Sequence, residues 1–138
     1  MQDRDVTAVD AAAHMAALRE AFLCYNAGDV DGLAEVLDPD VTAVVHTGGA
    51  GVSGVFRGRD PVLAALQRVF EDAESRLFMQ LRARELEPGL YRVDWRALRR
   101  RAVSEPGEES HGFGLFRMVG DHRCVWMELS FFLEAPPE

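Results

Sequence analysis

The sequence predicts an α+β domain in which a curved antiparallel sheet packs on three N-terminal helices around a cavity. Apolar residues recur every three or four positions through the first half of the chain and every second position after Ser75. The clusters "EPG", "SEPGEES" and "GDH" cut the second half into four long strands. With 138 residues, 48% of them hydrophobic, the chain can build one real core, so residues 1–138 are read as a single domain.

The first helix is expected from about Ala11 to Ala27, where Met15, Leu18, Phe22 and Tyr25 form an apolar stripe. Gly28 supplies its stop, and Asp29 caps a second short helix that runs through Leu37 and ends at Pro39. "VTAVVH", Val41 to His46, is β-branched and reads as a strand. "TGGAGVSG" lacks the spacing of the phosphate-binding fingerprints and reads as a loop at a pocket mouth. In "GRDPV", Asp60 caps a third helix with Pro61 in its first turn, and Leu63, Leu66, Val69 and Phe70 form its buried face. The strands that follow begin after Ser75, run from Leu90 to about Val103, then from His111 to Val119 and from Arg123 to Leu133. "EAPPE" reads as a polar tail. A layer of helices against such a sheet leaves room for a ligand between them.

Composition narrows the chemistry. A net charge of −8 disfavours nucleic acid as a partner. The one basic run, Arg99-Arg100-Arg101, reads as a solvated strand end or hairpin, with an anion or nucleic-acid contact as the alternative. All fifteen basic side chains are arginine, which excludes a lysine Schiff base and a P-loop lysine. Cys24 and Cys124 are far apart and read as small buried hydrophobes in a reducing cytosol. His14, His46, His111 and His122 are scattered, so no metal site is expected, and no organic cofactor is implied. The start "MQDRDVTAVD" has no apolar signal-like region and no apolar run is long enough to cross a bilayer; no membrane partner and a cytoplasmic location are expected.

"NAGDVDGL" after the first helix and "GRDPV" before the third resemble the NTF2-like superfamily, including SnoaL-like domains, over nearly the whole chain. The resemblance implies a cone-shaped fold that houses isomerases, cyclases, dehydratases, epoxide hydrolases and binding modules, so the fold alone does not name the function. It also implies a homodimer formed through the outer face of the sheet. Three enzyme templates within the family can be compared. The positions corresponding to the polar groups of ketosteroid isomerases are Ala21, Val45 and a residue near Gly114; without base or oxyanion donor that activity is not expected. Limonene-epoxide-hydrolase-like proteins are similar at Arg92, Asp94 and Glu128, which would serve as bridge, base and acid. Their water-holding tyrosine and asparagine correspond to Ala43 and Val45 here. Polyketide cyclases of the SnoaL type match loosely, with His111 or Asp121–His122 as nominal acid–base groups beside turns.

Side-chain parity separates the possibilities. In "LYRVDWRALRRR", Tyr91, Val93 and Trp95 share one face and Arg92, Asp94 and Arg96 the other. On the last strand Val125, Met127, Leu129, Phe131 and Leu133 oppose Cys124, Trp126, Glu128, Ser130 and Phe132. Plain periodicity turns the apolar sets inward and leaves Arg92, Asp94 and Glu128 outside. The hydrolase-like register requires the reverse, which a slip or bulge would produce. Burying an incompletely paired charge costs several kcal/mol, so the reversed register demands a hydrogen-bonded, Arg-bridged set. His46 faces away from a cavity lined by Ala43 and Val45 in a regular strand. The expected cavity wall includes Tyr25, Val45, Met79, Trp95, Phe116 and Trp126. The expected function is binding of a small, largely apolar molecule in the cone, either with cofactor-independent acid–base catalysis by Arg92, Asp94 and Glu128 or as a non-catalytic binding or regulatory module.

Overall fold

The computed structural model describes residues 2–46, 53–68, 75–100, 108–120 and 122–132; side-chain surroundings are described for these except 2–10, 75–80, 97–100, 108–110 and 131–132. The elements are α1 (Gln2–Ala27), α2 (Val30–Val36), β1 (Leu37–His46), β2 (Gly54–Arg57), α3 (Arg59–Arg68), β3 (Ser75–Glu87), β4 (Leu90–Arg100), β5 (Glu108–Val119) and β6 (Arg123–Phe132). Six strands form one curved, open sheet in the order β2-β1-β6-β5-β4-β3. β1 runs parallel to β6 and every other neighbouring pair is antiparallel.

Local chemistry accounts for the element ends. At the end of α1 the Gly28 N–H donates to the Tyr25 carbonyl (3.2 Å) and the Asp29 N–H to the Cys24 carbonyl (2.8 Å). This paired closure needs a left-handed residue, and Gly28 sits at φ 74°. Asp29 then accepts from the Gly32 N–H at 3.0 Å and starts α2. Arg59, at the start of α3, donates through Nε and Nη2 to the Leu37 carbonyl (3.0 and 2.7 Å), tying α3 to the beginning of β1. His14 on α1 is 4% exposed; its Nδ1 lies 2.7 Å from the Tyr91 hydroxyl and its Nε2 2.7 Å from the Gly120 carbonyl. A carbonyl can only accept, so Nε2 carries a proton there. These bonds tie α1 to the sheet.

The structure departs from the sequence reading at several points. α1 begins at Gln2, well before Ala11. β1 starts at Leu37 and passes through Pro39, which lies where the β1–β6 pairing shifts and no ladder N–H is required of it. β2, which pairs with Val44 and its neighbours, is an additional short strand. α3 begins at Arg59, before Asp60. β5 extends back to Glu108. Val69, Phe70, Val103, Asp121, Leu133 and most of the glycine-rich and "SEPGEES" segments lie outside the described residues. On β6 the pairing with β5 steps from Met118–Cys124 to Arg117–Trp126, so Val125 is the extra residue of a bulge. Cys124 therefore turns inward, against the expected parity, while Met127 and Leu129 stay inward as expected.

Tyr91, Val93, Trp95, Phe116, Met118, Met127 and Leu129 pack with Leu18, Leu33, Val62 and Leu66 from the helices in one core. That core lies between the helices and the inner face of the sheet. The intervening residues of each strand form the outer face.

Candidate functional site

Between the inner face of the sheet and the helices lies a cavity of about 70 Å³. Phe22, Trp95 and Phe116 form its aromatic wall: Phe22 lies 5.6 Å from Trp95 and 6.1 Å from Phe116 between ring centroids, the second pair edge to face. Tyr25, Met127 and Cys124 complete much of the rest. The Tyr25 hydroxyl donates to the Leu66 carbonyl at 2.7 Å. The Cys124 thiol donates to the Trp126 carbonyl at 3.2 Å, and desolvation pushes its pKa up to about 12, so it is a neutral thiol and a poor nucleophile. No carboxylate, imidazole or guanidinium among the described residues lines this cavity.

Two glycines shape the wall. Gly112 opposes Trp95, and a Cβ on Gly112 would come 2.6 Å from the indole nitrogen. A Cβ on Gly114 would come 2.7 Å from the Phe116 ring and 2.9 Å from Leu129. The alternation in "HGFGLF" keeps the inner side of β5 bare so that these large side chains can lie across it. That alternation was the available signal for Gly112 and Gly114, which a count of hydrophobic positions passes over.

Of the six expected wall residues, Tyr25, Trp95 and Phe116 line the cavity. Val45 is fully buried in the surrounding core. The side chain of Met79 lies outside the described set. Trp126 is on the outer face, paired with Arg117 and Thr42, because the Val125 bulge precedes it and the alternation to Met127 holds after it. Leu18, Phe22, Met127 and Leu129 line the cavity as well and were visible only as members of apolar stripes.

Arg92, Asp94 and Glu128 do not reach the cavity. Tyr91, Val93 and Trp95 occupy the inner side of β4 at 0, 2 and 3% exposure, which leaves Arg92 and Asp94 outside. Arg92 holds Asp94 through Nη2 at 2.9 Å and Nε at 3.1 Å, and its guanidinium carbon sits 4.1 Å from the centre of the Phe113 ring. Glu128 instead meets His46, with Oε2 3.1 Å from Nε2. The register runs Arg92–Leu115–Glu128 across β4, β5 and β6, so Leu115 separates the arginine from the second carboxylate. Two separate pairs on the solvent side replace the bridged inward triad, because the continuous apolar sets on β4 and β6 claim the interior. The positions matched to isomerase and hydrolase polar groups, Ala21, Ala43, Val45 and Gly114, are on the inner side or in its core and bring no polar side-chain atom to it.

Among the described residues no cluster of three or more His, Cys, Asp or Glu could hold a metal ion, and no helix is long and apolar enough to cross a membrane. His122 is exposed beside the β5–β6 turn and His111 is half-buried on the outer side of β5.

The SnoaL-like domain family matches residues 18–127. No curated protein is matched. Among solved structures, an NTF2-like protein of unknown function from Burkholderia pseudomallei superposes with a TM-score of 0.72 at 21% identity, covering 86% of this chain and 90% of that one. A candidate polyketide cyclase from Xanthomonas campestris pv. campestris gives 0.71 at 15% identity, covering 90% and 93%. Bal32a, from a soil-derived mobile gene cassette, gives 0.73 at 18% identity, covering 88% and 91%. These likenesses show a shared cone fold. With its family match spanning most of the domain, the chain belongs to the SnoaL-like domain family of NTF2-like proteins.

Proposed function

We propose that this protein is a container for a small, largely apolar molecule, bound against Phe22, Trp95 and Phe116 without acid–base chemistry in the cavity. The observation that carries the reading is the wall itself: it is aromatic and aliphatic, and its Tyr25 hydroxyl and Cys124 thiol already donate to backbone carbonyls. General acid–base catalysis needs a titratable group within hydrogen-bond reach of the reacting atom, and the candidate carboxylates lie across the sheet. The polyketide-cyclase name of one structural neighbour is compatible with a polycyclic or aromatic ligand class.

In this reading the protein acts in the cytosol as a homodimer joined through the outer face. Val44, Phe113, Leu115 and Trp126 are half-buried there, next to the Arg92–Asp94 and His46–Glu128 pairs. Arg92, Asp94 and Glu128 then serve association rather than turnover. The test uses the uncharged fluorophore N-phenyl-1-naphthylamine with Trp126→Phe protein, so that Trp95 is the one tryptophan. Binding should quench Trp95 emission, and the same affinity should persist in Asp94→Asn and Glu128→Gln. Loss of binding in either carboxylate variant would contradict the reading.

A further inference from the structure

The cavity is small for any organic ligand. A dry apolar cavity of roughly 150 Å³ admits a benzene ring, about twice the space found here. A second space lies beside it: a groove of about 420 Å³ between α1 and strands β3 and β4, lined by Met15, Leu23, Leu81, Ala83 and Val93 among others. Leu18 and Phe22 line both spaces. They form the partition between the two spaces. Leu18 is 2% exposed and fixed in the core, whereas Phe22 is half-buried. Phe22 holds its place through ring contacts with Trp95 and Phe116, and a flat aromatic ligand can replace those contacts.

We infer that Phe22 is the gate of a two-chamber ligand site, and that the α1–β3 groove is the entrance through which a ligand reaches the Trp95–Phe116 wall. This rests on the container reading above and specifies its ligand. Turning Phe22 aside joins the two spaces into a site within the usual range of roughly 300–1,000 Å³ for small molecules. The inner end accepts only a flat, uncharged aromatic or polyene portion. The outer end carries Arg19 and Glu20, one charge of each sign, so the rim suits a ligand without net charge that leaves at most one polar end in water.

The test is stopped-flow association of N-phenyl-1-naphthylamine with Trp126→Phe protein, followed by Trp95 quenching. Phe22→Ala should speed association at least tenfold by removing the partition. Ala83→Phe, at an exposed position that touches the groove and not the inner cavity, should slow it at least tenfold with the unliganded Trp95 spectrum unchanged, which keeps the test valid should Phe22→Ala fail to fold. Quenching at wild-type rates in Ala83→Phe would place the entrance elsewhere and overturn the gate while leaving the container intact. Absence of any quenching in the parent protein would instead defeat the container reading, and the gate with it.

Discussion

The two faces of β4 differ by one residue in phase and by nearly everything in physics. Tyr91, Val93 and Trp95 are buried against helices. Arg92 and Asp94, their immediate neighbours, are partly in water and satisfy each other. The inner set is held by removal of apolar surface from water, worth roughly 1.5–3 kcal/mol for each large side chain. The outer set is held by an ion pair whose side chains are 33% and 45% exposed, a setting in which the net gain is about 0–1 kcal/mol. Chemistry-bearing residue types therefore mark the face with less at stake for folding, and the candidate ligand site lies on the face without them.

Substitutions on the two faces should separate sharply. Trp95→Ala, on the inner face, should cost about 3–5 kcal/mol in urea unfolding, since it removes a large ring and leaves Gly112 facing an empty space. A loss below about 1 kcal/mol would mean that the wall is not a packed core.

Alkaline pH probes the inner face at a second point. The Cys124 thiol titrates from an ordinary 9.0 to about 12 because burial disfavours its anion. The unfolded thiol ionises above pH 9 while the folded one keeps its proton, so its contribution is complete below pH 9 and is lost between pH 9 and about 12. Wild-type stability should fall more steeply over that window than stability of Cys124→Ala. Parallel pH profiles for the two proteins would place the thiol in water.

How much of this was legible beforehand follows from the same contrast. The inward parity of Tyr91, Val93 and Trp95 is plain in the alternation, and so are the helix stop at Gly28 and the cap at Asp29, because each rests on local chemistry. The bulge at Val125 was not legible. It is set by pairing with Arg117 and Met118 on another strand, and nothing in "RCVWMELSFF" announces it. β2 was missed because four residues beside a glycine-rich stretch become a strand only when β1 is there to pair with. At the site, the aromatic wall could be read in part from Tyr25, Trp95 and Phe116. The inward triad came from a family pattern whose register this chain does not share, and the placement of Trp126 in the cavity failed with it.

The smallest effects belong to the outer face. Asp94→Asn and Glu128→Gln should each change monomer stability by less than about 1 kcal/mol, measured by urea unfolding at concentrations where the chain is monomeric. A loss of 3 kcal/mol or more would show that these carboxylates are buried partners and erase the distinction between the faces.

The most direct measurement is a crystal structure of the protein soaked with 2-bromonaphthalene, read from the anomalous signal of bromine. The account predicts a bromine peak within van der Waals reach of Phe22, Trp95 or Phe116 on the inner face. A sole peak on the outer face beside Arg92, Asp94 or Glu128, with the inner cavity empty, would contradict it.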